Sequence, residues 1–299
     1  MPRRIVDAHH HFWDLSLARQ PWLCEEPPIA FRYGNYSAIR RNYLQDNYLQ
    51  DAQKANLDVQ GSVYVETEWT ASDPRGEVAH VAQMLAQQRL PTVMVAHVRL
   101  DDPQAAELLA HHASHAFVRS IRHKPLAHPR LGGPGGMAER QWRAGYAHLA
   151  KLGLRFDLQT PWWHMDEAVA LACEFSDTPL IVNHAGLPAD RSAEALEAWA
   201  QAMTRLAGCA NVFMKISGIG MPGQPWTVEA NRPIVEHLID AFGTGRCMFA
   251  SNFPVDSLCG SFEEIFGGFG QIVADFSADE QDALFRRNAI GIYDMRLPD

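Results

Sequence analysis

Several features that would place this chain in other protein classes are missing. Cysteine is scarce: the five cysteines are an odd number and include no Cys-x-x-Cys spacing, which argues against a disulfide framework and against a thiolate zinc site. No apolar run approaches the roughly 18–20 residues that a membrane-spanning helix needs. The basic start, Met1 to Arg4, is not followed by an apolar stretch, so no secretory or twin-arginine export signal is indicated and we expect a cytoplasmic protein.

Positive charge is also in deficit. Lys and Arg number 26 against 35 Asp and Glu, which gives a formal net charge of -9. This balance argues against a broad nucleic-acid-binding surface. The negative net charge does not argue against an anionic small molecule that is bound by two or three local cations. We therefore expect a small-molecule partner, with neither nucleic acid nor a membrane; a homodimer is left open.

The chain does contain a regular alternation of short β-branched runs and longer helical stretches. With 47% hydrophobic and 20% charged residues over 299 positions, it is typical of globular α/β proteins. Eight successive β-then-α units predict a (β/α)8 TIM barrel in one domain, 1–299. No Gly-x-Gly-x-x-Gly follows a strand, which disfavours the runner-up, a doubly wound sheet. Residues 12–60 are too many for one unit, and their aromatic content indicates an ordered elaboration of the first βα segment.

The hydrophobic periodicity also gives bounds for the elements. The expected strands are Ile5–His9, Ser62–Glu66, Thr92–Val98, Phe117–His123, Leu154–Gln159, Leu180–His184, Val212–Ser217 and Cys247–Ser251. The expected helices are Gly76–Arg89, Pro103–His115, Glu139–Leu152, Met165–Phe175, Ala193–Leu206 and Ala230–Phe242.

The segment Asp7-Ala8-His9-His10-His11 is the most informative motif. Side chains two apart in a strand share a face, so His9 and His11 are predicted to point together and His10 away. Two imidazoles at the carboxyl end of a barrel strand form half of a metal site. The alternative is a set of histidines that only hydrogen-bond within a polar pocket.

Two further strand ends complete a pattern. One is Asn183-His184-Ala185-Gly186-Leu187-Pro188, and the other is Ala250-Ser251-Asn252-Phe253-Pro254-Val255. Together with the opening Asp-Ala-His-His-His-Phe-Trp-Asp, they resemble the second family of the amidohydrolase superfamily over essentially the whole chain. The most similar group is that of the 2-pyrone-4,6-dicarboxylate and sugar-acid lactonases. The resemblance implies a TIM barrel and a divalent metal such as zinc, with His9, His11 and His184 as its ligands.

One position departs from the family pattern. The family has Ser-Asp-Trp-Pro after strand eight, with an aspartate that activates water or ligates the metal, whereas this chain has Asn252. An amide oxygen is no general base and is a poorer metal ligand than a carboxylate. We therefore expect the metal to bind weakly or not at all. His184 is the first candidate for the base, and Glu66 or Asp256 is the second, although Asp256 also fits a loop-capping role.

Other polar residues at the predicted rim are candidates for substrate binding. Arg122 and His123 end the fourth strand, and an arginine there can pair with a carboxylate of an acidic lactone, or with a neighbouring helix. Gln159 and Trp162 follow strand five, where an aromatic ring either flanks a ring substrate or packs within its loop.

Strands five and seven each carry one charged residue at an interior position. Asp157 lies two residues before Gln159, and Lys215 two before Ser217. Alternate strands of a barrel contribute to a common layer, so the two side chains can meet across the interior. We predict that both are buried and are linked directly or through one bridging group, beneath His184.

The motifs leave three functions open. The first is a hydrolase that opens a lactone of a sugar acid or of an aromatic-catabolism dicarboxylate, with a small acidic lactone as substrate. The second is a decarboxylase of the same superfamily, which needs a firmly held metal. The third is a non-catalytic barrel that binds a small acid, because Asn252 replaces the usual aspartate.

Overall fold

The computed structural model describes residues 2–297 and contains one sheet of eight parallel strands. Strand order follows chain order, and the sheet is nearly closed into a barrel, which confirms the predicted (β/α)8 fold. The strands are β1 (Arg3–His10), β2 (Leu57–Val65), β3 (Val93–His97), β4 (Val118–Arg122), β5 (Arg155–Leu158), β6 (Leu180–Val182), β7 (Val212–Ile216) and β8 (Cys247–Phe249).

Helices connect the strands and cover the outside of the barrel. They are α1 (Pro21–Cys24), α2 (Gln45–Lys54), α3 (Gly76–Leu85), α4 (Ala105–Ala113), α5 (Arg140–Tyr146), α6 (Met165–Glu174), α7 (Ala193–Ala207), α8 (Val228–Phe242), α9 (Phe262–Ile272), α10 (Ala278–Asp282) and α11 (Asn288–Ile292). A π-helical turn, Ala283–Arg287, joins α10 to α11. In residues 2–297, no helix combines the length and the apolar character needed to cross a bilayer.

The strand ends differ from the expected bounds where the backbone leaves the extended conformation. β6 stops at Val182 rather than His184, because His184 and Ala185 have left-handed φ values of 55° and 54°. β2 begins five positions before Ser62, because Leu57 to Val59 pair with Arg3 to Ile5 of β1. The hydrophobic periodicity of the sequence predicts neither the early end of β6 nor the early start of β2.

The apolar core has two layers. Small and β-branched residues of the strands, such as Val6, Val63 and Val95, fill the barrel interior. The C-terminal segment closes its floor with Tyr293 and Met295. A larger layer lies between the strands and the surrounding helices. The floor leaves the carboxyl ends of the strands as the open end, where barrel enzymes place their chemistry.

A buried carboxylate, Asp157, connects four strands to this floor. Lys215 lies 2.6 Å from Asp157, and both side chains are fully buried, which confirms the predicted pair. Asp157 also accepts hydrogen bonds from Ser120 at 2.7 Å, Asn183 at 2.8 Å and Tyr293 at 2.9 Å. Burial lowers the pKa of Lys215, and the Asp157 carboxylate opposes that change.

A second buried carboxylate helps to close the barrel between its first and last strands. Asp7 accepts hydrogen bonds from the backbone N–H of Ser251 at 2.8 Å and from its hydroxyl at 2.5 Å. The main chain completes the seam, because Asn252 N–H donates to His9 O and His11 N–H donates to Phe253 O. Burial raises the pKa of Asp7 to about 6.

The buried pair makes a testable contribution to stability. We expect Asp157→Asn to lower the free energy of unfolding by about 3–5 kcal/mol, because it leaves the Lys215 charge buried without a counter-charge. Asp166→Asn is the matched control, since it breaks an exposed pair with Arg205 and is expected to cost about 0–1 kcal/mol. Urea denaturation of both variants measures the difference. Equal losses would show that the interior pair is not held as the structure shows.

Candidate active site

Three histidines converge at the carboxyl end of the barrel. The ring of His9 lies 5.1 Å from that of His11 and 4.5 Å from that of His184, between centroids. A bulge in β1 between Asp7 and His10 changes the direction in which the side chains of this part of the strand point. His10 points outward, and its Nε2 lies 2.8 Å from Ser62 Oγ. The structure therefore shows His10 facing away from His9 and His11, as the sequence predicts.

The hydrogen bonds of these rings determine which nitrogens are free. His11 Nδ1 lies 2.8 Å from Val65 O, and His184 Nδ1 lies 3.0 Å from Ser217 Oγ, so each ring keeps its Nε2 for other contacts. Neither buried ring nitrogen of His9 has a hydrogen-bond partner among the described residues. Burial lowers the pKa of all three imidazoles, that of His11 to about 3, so they are neutral near pH 7.

The position of His184 depends on the backbone around it. After β6, four consecutive residues from His184 to Leu187 have positive φ, which turns the chain sharply at the rim. Gly218, at the end of β7, also has a positive φ of 61°. A Cβ atom at Gly218 would lie 2.5 Å from His184 Nδ1, so glycine is what permits this close approach.

Asn252 and Asp256 form one hydrogen-bonded unit. Asn252 Nδ2 donates to Asp256 Oδ1 at 2.6 Å, and Asp256 also accepts from Tyr33 OH at 2.9 Å and from Gly218 N–H at 3.0 Å. Burial raises the pKa of Asp256, while Arg32 and these donors oppose the rise. In all three hydrogen bonds Asp256 is the acceptor, and its side chain does not line the cavity described below.

The carboxylate of Glu66 is also engaged in hydrogen bonds within the protein, in this case chiefly with Arg122. Arg122 Nε donates to Glu66 Oε1 at 2.5 Å, and its Nη1 donates to Gln159 Oε1 at 3.0 Å. The other oxygen of Glu66 accepts from Glu68 N–H at 2.8 Å. Burial alone would raise the pKa of Glu66, but Arg122 and other nearby cations hold it below its usual range. Glu66 is therefore an ionised partner that orients Arg122.

An open cavity of about 250 Å³ lies above the histidines. Of the residues proposed from the sequence, those that line it are His11, Glu66, Arg122, Gln159, His184 and Asn252. His9 lies behind this wall, against His184. The cavity thus joins free imidazole nitrogens, an amide and a guanidinium in one space.

Two proposed substrate-binding residues lie elsewhere. His123 follows Arg122 directly and therefore faces the opposite side of the strand, where its Nδ1 accepts a hydrogen bond from Leu100 N–H. Trp162 packs against Trp163 with ring centroids 5.6 Å apart and does not line this cavity. Strand alternation already excludes a shared face for Arg122 and His123.

Sequence reasoning missed the part of the wall that the elaborated first segment supplies. Trp22 and Phe31 stack with ring centroids 5.5 Å apart, and Arg32 follows them into the cavity. Arg32 donates to Gly218 O at 3.2 Å and lies 3.7 Å from Asp256. The aromatic content of residues 12–60 was a signal of order in this segment. No spacing rule shows that the segment reaches the far side of the barrel.

The donor set fits a divalent metal only in part. Three neutral imidazoles are a known zinc set, and carbonyl and hydroxyl contacts already orient two of them. No group of three or more His, Cys, Asp or Glu within residues 2–297 stands in metal-binding geometry. Asn252 supplies an amide where a carboxylate would add charge. The three imidazoles therefore have the chemistry of a zinc set but are not arranged around an ion among the described residues, and Asn252 adds no anionic ligand.

Known proteins share this architecture. The family described as Amidohydrolase matches residues 6–295. The chain is 38% identical to the uncharacterized protein y4mH of Sinorhizobium fredii, over 97% of this chain and 98% of that protein. It is 25% identical to the L-fucono-1,5-lactonase of Burkholderia multivorans, over 98% and 97% respectively. An amidohydrolase structure from Burkholderia multivorans with bound Zn has a TM-score of 0.81 and 23% identity, covering 98% of this chain and 99% of that one.

The contact between Gly218 and His184 can be tested directly. We expect Gly218→Ala to lower the free energy of unfolding by about 1–3 kcal/mol more than Gly223→Ala, because only the first adds a clash. Gly223 is the matched control, since its φ of 66° carries the same backbone strain and nothing lies within 4 Å of its added Cβ. Thermal denaturation measures the stability, and a crystal structure of Gly218→Ala should show the His184 ring displaced. Equal losses would contradict the close approach.

Proposed function

The chain belongs to the amidohydrolase family, and on that premise we propose that it is a hydrolase that opens a lactone by attack of water. The observation that carries the proposal is the pairing, in one cavity, of a neutral histidine with a guanidinium whose position is held by a carboxylate. The likeness to a curated L-fucono-1,5-lactonase supports the lactone class.

The hydrogen-bond pattern favours one base among the three candidates. Arg122 and the Glu68 N–H occupy the two oxygens of Glu66, and Asp256 is enclosed by its three donors. His184 keeps a free Nε2 at the cavity and is neutral. His184 therefore accepts the proton of the attacking water, while Ser217 holds the ring through Nδ1.

Arg122 faces the charge that the reaction creates. Three of its five N–H groups are bound to Glu66 and Gln159, which leaves two for an oxygen in the cavity. These donors stabilise the carbonyl oxygen as it becomes negative. Water forms the new C–O bond, the acyl bond to the ring oxygen breaks, and that oxygen takes the proton from His184. The product is an open hydroxy acid.

His9, His11 and His184 would hold a divalent ion such as zinc, which would polarise the lactone carbonyl as a Lewis acid. The ion would take the His184 Nε2 that accepts the proton, so the metal-ligand role and the base role of His184 exclude each other. With three neutral nitrogens and no carboxylate in this set, we propose that binding is weak. A lactone is an activated ester, so the protein groups described above suffice for its hydrolysis.

A panel of lactones tests the function. We expect acid release above the uncatalysed rate for at least one lactone, measured with a pH indicator after chelator treatment and again with added zinc. His184→Gln should lower kcat by about 10²-fold or more, because it removes the base. His111→Gln, on the outer helix α4, is the control and should leave kcat unchanged. Binding of the lactones without acid release would instead favour a non-catalytic barrel.

A substitution of Asn252, the position that departs from the family pattern, tests whether the site binds a metal. Asn252→Asp would place a second carboxylate against Asp256, where the amide now donates at 2.6 Å. We expect the variant to be less stable without metal and to bind zinc more tightly than the wild type, because the ion relieves the repulsion. Titration calorimetry measures the affinity, with Asn252→Ala as the variant that lacks both amide and carboxylate. Equal zinc affinity in all three proteins would place Asn252 away from the ion.

A further inference from the structure

A second cavity, of about 260 Å³, lies between α3 and α4. It is as large as the cavity above the histidines and shares no lining residue with it. The loop that follows β2 contributes to both, because residues 66–68 line the first cavity and residues 69–71 line the second. The reaction proposed above makes no use of this second space.

A buried carboxylate of α3, Glu77, lies in the wall of the second cavity. The residue is only 5% exposed. Its Oε1 accepts hydrogen bonds from Tyr64 OH at 2.8 Å and from both the N–H and the hydroxyl of Thr67 at 2.7 Å. Its Oε2 has no hydrogen-bond partner among residues 2–297, yet this atom is not sealed within the protein, so it opens onto the cavity. A buried carboxylate with one unused oxygen indicates a ligand that donates a hydrogen bond there.

The guanidinium groups of this wall already have counter-charges. Arg75 lies 2.6 Å from Glu107, and Arg99 lies 2.9 Å from Asp101. The partners of Glu77 among residues 2–297, by contrast, are all uncharged. The charge that remains to be matched in the second cavity is therefore negative.

The burial of Glu77 makes its ionisation sensitive to what the cavity holds. Burial, followed by repulsion from Glu66, raises the pKa of Glu77 to about 7. Burial also lowers the pKa of His112, in the same wall, to about 4, so that this imidazole is uncharged near pH 7. A cation beside Oε2 would favour the ionised carboxylate, whereas an anion there would be repelled by it.

The rest of the wall suits an organic group. Trp69, Val78 and Leu108 supply aromatic and aliphatic surface. Within the part of the chain that the structure describes, His, Cys, Asp and Glu side chains form no group of three or more that could hold a metal ion. An ammonium group attached to an apolar body matches both the carboxylate oxygen and the apolar surface.

We propose that the second cavity is a binding site for a small organic cation, a protonated amine with an apolar or aromatic body, whose ammonium group donates to Glu77 Oε2. The site is separate from lactone hydrolysis and does not depend on it. Thr67, which Glu77 holds through two hydrogen bonds, also lines the cavity above the histidines, so one residue connects the two sites.

Two probes of the same shape test the charge of the ligand. Benzylamine is protonated at pH 8, whereas benzyl alcohol is neutral. In NMR titrations of the wild type, we expect a dissociation constant for the amine that is lower by tenfold or more. Glu77→Gln keeps a carbonyl oxygen for the three donors and removes the charge, so it should weaken the amine to the level of the alcohol.

A matched variant and a direct observation complete the test. Glu167 on α6 also accepts three hydrogen bonds but lines neither cavity, so Glu167→Gln should leave the affinity for benzylamine unchanged. A wild-type crystal soaked in benzylamine should show the ammonium group beside Glu77. Equal affinities for the two probes, undiminished amine binding in a folded Glu77→Gln, or a probe bound only above the histidines would each overturn the inference. The probe comparison and the soak use the wild type, so a folding defect in the variant would not protect the inference.

Discussion

The arrangement of the whole site depends on one buried carboxylate, Asp157. It lies on β5 near the floor, and it binds Ser120 of β4, Lys215 of β7, Asn183 just after β6, and Tyr293 of the floor. One of those side chains, Asn183, directly precedes His184. A charge that is costly to bury thereby becomes the link between the floor of the barrel and the residue proposed as its base.

Much of the fold could be predicted because strand alternation is a local rule. Short β-branched runs predicted the eight strands, and side-chain alternation predicted the shared face of His9 and His11 and the meeting of Asp157 and Lys215 across the interior. The same rule, applied strictly, would have excluded His123 from the cavity. Periodicity could not show the bulge in β1, which depends on how β1 pairs with a strand about 50 residues away.

The rest of the site is set by contacts between distant parts of the chain. Arg32 meets Asp256 more than 200 positions away, and Tyr33 binds the same carboxylate. Composition marks residues 12–60 as ordered but carries no information about which rim they reach. The partners of Glu66 and Asp256 were hidden for the same reason. Both looked like free acids in the sequence, and in the structure both serve to hold cations and amides in place.

The seam of the barrel runs through the site itself. The main-chain bonds that join the first strand to the last are made by His9, His11, Asn252 and Phe253. Two of these residues, His11 and Asn252, also line the cavity, so the closure of the barrel and the wall of the site share residues. A ribosome-bound chain that still lacks its last fifty residues has the first histidines but nothing to clasp them. The wall of the cavity is therefore complete only when the two ends of the sheet meet.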